Sequence, residues 1–314
     1  MIMHAEAINM VVGSYENPQQ LINLPLSEGV DFSYQLSDGQ HVAAVMAHEF
    51  ATDTQLNRLI DMLHKLPIQN EAQWQPYSHQ AIFWILPHLE KQQLVDWVTR
   101  LHALFPHCFV HPNSRFFAMG SAGIFSALSA LKSMPVDNQS AIFIAVDSLF
   151  FDLVDFNRDQ ELITQQQETG RCPAEAVIMA SINVATDGMK MVELFQESCS
   201  AVQQTQTIKT LFNRACQIEG LDVLAQLYLP GNHAGVTDNW LNAYEQLAGR
   251  IDQDTQISQS SYFTGDIGCV AGLFNLLHIY NRYQQQNATG TSLQLEVSQQ
   301  LHLGLAMYSW IEKA

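Results

Sequence analysis

RFFAMGSAGIFSALSALKSMPVDNQSAIFIAVDSL, running from Arg115 to Leu149, decides how the rest of the chain is read. It begins with a short apolar strand, Arg115 to Met119, and turns sharply at Gly120. A helix of small residues follows from Ser121 to Ser133. Pro135 breaks it, and a second apolar strand runs from Ala141 to Asp147. Strand, glycine turn, helix, strand is one βαβ unit, whose near-continuous apolar strands suit a parallel sheet covered on both faces. Ala122, Gly123, Ser126, Ala127, Ser129 and Ala130 leave the helix little bulk. It is therefore expected at the centre of the fold, close to other backbone.

Composition narrows the function classes. A chain of 314 residues with 47% apolar content can bury a large α/β core. Its formal charge of −17 opposes nucleic acid and anionic membrane surfaces, so neither is expected as a partner. Charged residues make up only 14%, well below the usual quarter, so the polar surface is largely uncharged. Five cysteines without a CxxC pair point to buried free thiols and a reducing, cytoplasmic setting. No leader pattern and no membrane-length apolar run is seen.

Outward from the central stretch, strand and helix signals alternate. Glu6 to Gly13 reads as an opening strand, His41 to Met46 and His79 to Leu86 as further strands. Ala51 to Leu66 and Lys91 to Leu104 read as helices, the second with Leu94, Val95, Val98, Leu101 and Leu104 on its inner face. Turns are signalled at Ser27 to Gly29 and Ser37 to Gly39. Beyond the central unit come a turn and strand at Gly170 to Val184, a helix at Thr205 to Ile218 and a strand at Leu221 to Leu229. A helix at Asp238 to Arg250 and one long helix at Tyr262 to Tyr283 follow. The last pair of strands, Thr291 to Val297 and Leu301 to Ser309, is expected to be antiparallel.

Several chemical signals fail. His48-Glu49 lacks the second histidine of HExxH, and Thr52 stands there instead. His107 and His111 would share a strand face but have no third ligand, so no metal site is expected. Neither GxGxxG nor GxxxxGK[ST] occurs, and no cofactor is expected.

The central stretch resembles the nucleophile segment of the β-ketoacyl synthases of the thiolase-fold superfamily. Gly123 matches the motif glycine and Val146-Asp147 the end of the following strand. Pro173, Glu175 and Ala176 match a turn beside the family's active site. Cys269-Val270-Ala271-Gly272 matches the end of its C-terminal helix. The resemblance implies an α/β fold of five αβαβα layers, built from two pseudo-symmetric βαβαβαββ halves with shortened capping loops. The halves would be residues 1–190 and 191–314, in one compact unit. In that register the nucleophilic cysteine falls on Gly120, or on Ser121 one residue later, and a family histidine falls on Phe263. His233, after the strand ending at Leu229, is the one candidate for the other histidine. The family's lysine has no counterpart.

Ketosynthase chemistry needs a thiolate at a helix N-terminus and imidazoles to polarise the substrate. With those positions degenerate, the resemblance implies a pseudoenzyme that works by binding protein. Ser121 could act as a nucleophile only with His233 as base; as a helix N-cap it needs none. Two partner readings stay open. One is an accessory chaperone or adaptor for a secreted bacterial effector, in a type VI secretion setting. The other is a non-catalytic, chain-length-factor-like subunit of a heterodimeric ketosynthase in fatty acid or polyketide synthesis, with a dimer contact through Arg115 to Met119. Carrier-protein docking calls for basic residues, and a charge of −17 leans the reading toward the first.

Overall fold

The computed structural model describes residues 1–16, 21–23, 33–69, 71–135, 139–220, 223–231, 234–286, 288–298 and 302–312. Ten strands form its main sheet: β1 (Ile2–Val12), β4 (Ala81–Ile85), β5 (Arg115–Phe117), β6 (Ser140–Ser148), β7 (Glu175–Val184), β8 (Gly188–Ser198), β9 (Leu224–Tyr228), β10 (Gln256–Ser258), β11 (Thr291–Val297) and β12 (His302–Ile311). The ribbon of β2 (Tyr34–Gln35) and β3 (His41–Val42) stands apart, closed by a turn in which Gly39 has φ +88°. The strand read over His41 to Met46 is thus shorter than expected. The helices longer than one turn are α1 (Gln55–Leu63), α2 (Lys91–Leu104), α3 (Gly123–Lys132), α4 (Leu153–Arg158), α5 (Gln204–Cys216), α6 (Ala234–Leu241) and α7 (Ala271–Gln284).

The sheet order is β10-β9-β11-β12-β8-β1-β7-β6-β4-β5. Outward from the β8/β1 junction, each side shows two antiparallel pairings and then two parallel ones. Each side also takes its strands in the same chain order, so the architecture is a duplication. At the junction, pairing is confined to Ile2 with Lys190 and Met3 with Met189. The strand Gly188–Ser198 runs across residue 190.

Side-chain alternation shows the layers. Phe83, Ile85, Phe143, Ala145, Ile178 and Ala180 point to one face of the first half-sheet and pack on α3 and α7. Tyr228, Ala306 and Tyr308 of the second half-sheet reach the same helices. Ile82, Trp84, Ile142, Ile144 and Val177 point the other way, onto the helices α1 and α2. Leu227, Leu293, Leu295 and Leu305 likewise cover α5 and α6. Helix, sheet, helix pair, sheet, helix makes five layers. The close approach expected of this segment is made at its start: a Cβ on Gly272 of α7 would stand 2.3 Å from the Ser121 carbonyl oxygen, just before α3.

Three local readings are corrected. The helix read as Tyr262 to Tyr283 is interrupted at Gly265, which has φ +72°, and α7 begins only at Ala271. On α2 the buried residues are Trp97 and Leu101, whereas Val95 and Leu104 of the expected inner face are 50% and 41% exposed. Trp97 offers more apolar surface than the aliphatic positions and turns the helix toward itself. Finally, β5 is an edge strand, joined to β4 and separated by it from β6, and its residues are exposed or half-buried instead of fully covered.

Candidate functional site

The two central helices begin side by side, and their starts bound a cleft of roughly 270 Å³. Its walls are strand ends from both halves: Asp147 of β6, and Glu296 and Val297 of β11 followed by Ser298. Gly120 opens one helix with φ +64°, Gly268 the other with φ +57°. Each glycine faces a residue of the opposite half. A Cβ on Gly120 would lie 2.8 Å from Ser298 Oγ, and one on Gly268 would lie 2.2 Å from Asp147 Oδ2. Both the backbone conformation and the space therefore exclude a side chain at these positions.

What faces each glycine also caps the helix. Ser298 Oγ accepts from the Ala122 amide at 3.1 Å and donates to the Met119 carbonyl. Asp147 accepts from the Cys269 amide at 2.7 Å and the Ser148 amide at 2.8 Å. Burial still raises the Asp147 carboxyl to about 7, against those two hydrogen bonds. The Cys269 thiol is buried, and its Sγ contacts the Val146 carbonyl at 3.3 Å. Burial, then the neighbouring Asp147, holds it well above the ordinary thiol range, which favours the neutral thiol.

A second carboxyl forms the floor. Glu296 is 1% exposed and accepts from Asn275 Nδ2 and Gln294 Nε2, both at 2.8 Å. Ser121 also hydrogen-bonds it, and burial raises it to about 7. Asp152 and Asp266 complete the acidic lining. Burial raises Asp152, partly offset by Arg171. Arg171 also stands behind Asp266, with Nε 3.6 Å from its carboxylate. Among the described residues of the wall there is no lysine or arginine, and the histidine present, His88, is exposed.

Of the residues expected at a site, Gly120 and Ser121 are brought together here. Ser121 is not the helix cap that the sequence suggested; the capping hydroxyl belongs to Ser298. Phe263 lies elsewhere, in a neighbouring cavity with Phe274 and His278, because the break at Gly265 turns it away. It leaves the cleft open, and Asp266 is the residue of that segment that reaches it. His233 lies outside the described residues. His107 sits on a 3-10 turn, where Nε2 meets the Ile68 carbonyl at 2.7 Å, and His111 Nδ1 accepts from the Asn113 amide, so the two do not pair.

Glu175 is a structural residue beneath the site. Fully buried, it pairs with Arg58 at 2.7 and 2.9 Å and accepts from the Ala47 amide and the Ser148 hydroxyl. The Arg58 guanidinium lies 3.9 Å from the centre of the Phe150 ring and also donates to the Phe50, Ala51 and Ala47 carbonyls. This network ties α1 and the residues after β6 to the start of β7. Sequence reading missed Arg58, Asn275, Glu296 and Ser298. Ser292, Gln294 and Glu296 alternate with Leu293, Leu295 and Val297, a pattern that could have marked a polar row on one face of the strand.

No protein-family model matches the sequence, and no curated protein matches it. Solved structures do. An oxazolomycin ketosynthase domain from Streptomyces albus superposes with a TM-score of 0.67 at 9% identity, covering all of this chain and 76% of that one. The ishigamide ketosynthase/chain length factor gives 0.64 at 10% identity over 99% and 100% of the two chains. A ketosynthase in complex with its chain length factor from Xenorhabdus doucetiae gives 0.63 at 12% identity over 98% of each. The chain therefore has a thiolase-like fold, the fold of these ketosynthases.

Proposed function

We propose that this protein is a non-catalytic, chain-length-factor-like subunit that pairs with an active ketosynthase in fatty acid or polyketide synthesis. The observation that carries the reading is Gly120. In the register of the resemblance Gly120 takes the place of the condensing enzymes' thiol, and its left-handed backbone and the closeness of Ser298 disfavour any side chain there. The cleft around it carries carboxyls raised by burial and no lysine or arginine among the described residues. Such a wall repels the malonyl carboxylate that a condensing site must hold.

Two features support a partner subunit. The outer side of β5 has no strand partner among the described residues, and such an edge is suited to pairing with another chain. Beside it, Val95, Leu104 and Val110 are 50%, 41% and 74% exposed, and Phe109 and Phe116 are only partly covered. Similar structures include ones described as ketosynthase/chain length factor assemblies. The charge of −17 does not count against this reading, because the catalytic subunit would supply the basic surface for a carrier protein. The effector-adaptor reading has no feature of the fold or of the comparisons behind it.

Purification of the tagged chain from its native host, with partner identification and mass determination of the complex, tests the proposal. A one-to-one complex with a cysteine-bearing ketosynthase, broken by Val110→Glu, is the expected result. Recovery of a secreted toxin or secretion component in its place contradicts it.

A further inference from the structure

We infer that the β5 edge is the positive pole of an otherwise acidic molecule, and that it selects a partner whose matching edge is acidic in preference to a second copy of this chain. The inference rests on the partner reading above and adds to it the charge that the partner must carry.

Charge is spread unevenly along the chain. From Trp97 to Pro135 there is no aspartate or glutamate, although the chain has 31 of them. The same stretch holds Arg100, Arg115 and Lys132, a charge of +3, so the rest of the chain carries −20 of the total of −17. It spans the end of α2, the whole of β5 and the whole of α3.

The fold brings positive groups to the edge itself. Arg115 is exposed at the start of β5. The His102 ring lies 5.3 Å from Phe109, and Phe109 lies 6.0 Å from Phe116 of β5, so this side of α2 borders the edge strand. Lys91, Val95 and His102 are exposed and, at four- and seven-residue spacings, share that side. The nearby acids are turned to other uses. Asp96 accepts from Gln92 Nε2 at 2.9 Å, and Glu90 caps α2.

These cations also lack an internal purpose. Arg58, Lys65, Arg158, Arg171, Lys209 and Arg214 each face a carboxylate, whereas no ion pair among the described residues uses Lys91 or Arg115. Lys91 is the first residue of α2, where the helix dipole disfavours a cation. Its charge serves neither the helix nor a neighbour.

The consequence is a choice of partner. A two-fold pairing of β5 with its own copy would set the same patch against itself, with both arginines at the seam. Like charges there oppose association, and opposite charges speed it. Val95 and Val110 give apolar contact that any fitting surface satisfies, while the cations at its rim discriminate.

Association kinetics of the purified chain with the ketosynthase subunit recovered from its native complex test this. The association rate should fall about tenfold between roughly 0.05 and 0.5 M salt. Arg115→Glu should slow association about tenfold at low salt and leave dissociation within about twofold. Lys91→Glu should slow association severalfold while holding or raising the melting temperature, and it serves if Arg115→Glu does not fold. The isolated chain should sediment as a monomer at low salt. A complex whose association is indifferent to salt and to both variants would overturn the inference and leave the partner reading standing. A dimer of the isolated chain that Val110→Glu dissociates would overturn it too. Failure to recover any ketosynthase complex would remove the partner reading and this inference together.

Discussion

At Gly120 backbone conformation and space together restrict the residue. Any residue with a Cβ must adopt φ near +64° and displace Ser298. Gly120→Cys is expected to lose roughly 2 kcal/mol or more, about 1–2 from the left-handed backbone and the rest from the clash. Thermal melts of Gly120→Cys with and without Ser298→Gly check this, since the second change should restore only the steric part. Glu175 makes a separate prediction. Glu175→Gln leaves Arg58 buried without its counter-charge and should cost about 3–5 kcal/mol, read by chemical denaturation. The glycine was legible in the sequence as a departure from a motif. Ser298 was not, because it arrives from 178 residues away and only the fold brings it to Gly120.

Elements were legible where period and length agreed. The helix read over Lys91 to Leu104 has those bounds in the structure, and the last two strands are antiparallel. The failures came where apolar character continued through a change of structure. Tyr262 to Tyr283 is apolar enough for one helix, yet Gly265 and Gly268 both take left-handed conformations and divide it. Gly268→Ala should therefore destabilise the protein instead of lengthening α7. Loss of Tm, with the far-ultraviolet dichroism of the folded state unchanged, is the expected readout. On α2, periodicity found a helix but not its inward side, since Trp97 outweighs the aliphatic stripe. The exposed residues left over predict a contact. Val95→Lys should leave the isolated chain within about 0.5 kcal/mol of wild type, while weakening the complex in sedimentation or pull-down measurements.

For the whole molecule, two carboxyls buried between the halves impose a pH dependence. Burial raises the carboxyls of Asp147 and Glu296 to about 7 in the folded chain, well above the ordinary carboxylate range. The folded state therefore holds more protons than the unfolded one between about pH 4 and 7, and these groups lower stability as pH rises through that window. Glu296→Gln keeps the shape and removes the charge. It should be near neutral at pH 4.5 and stabilising at pH 8, by roughly 1–3 kcal/mol, in denaturation curves at the two pH values. The duplicated architecture was legible through the resemblance to the ketosynthases, which implies two like halves, and the order of strands in the sheet bears it out. The acidic cleft was not, because its carboxyls come from β6, β11, the segment after β6 and the segment before α7.

The claim that the helix start at Gly120 has no covalent chemistry is tested most directly by intact-mass spectrometry of the purified chain after incubation with acyl and malonyl thioesters. An unchanged mass, alongside an acylated ketosynthase control, is predicted. A stable acyl adduct mapping to Ser121 or to any cleft residue would contradict it.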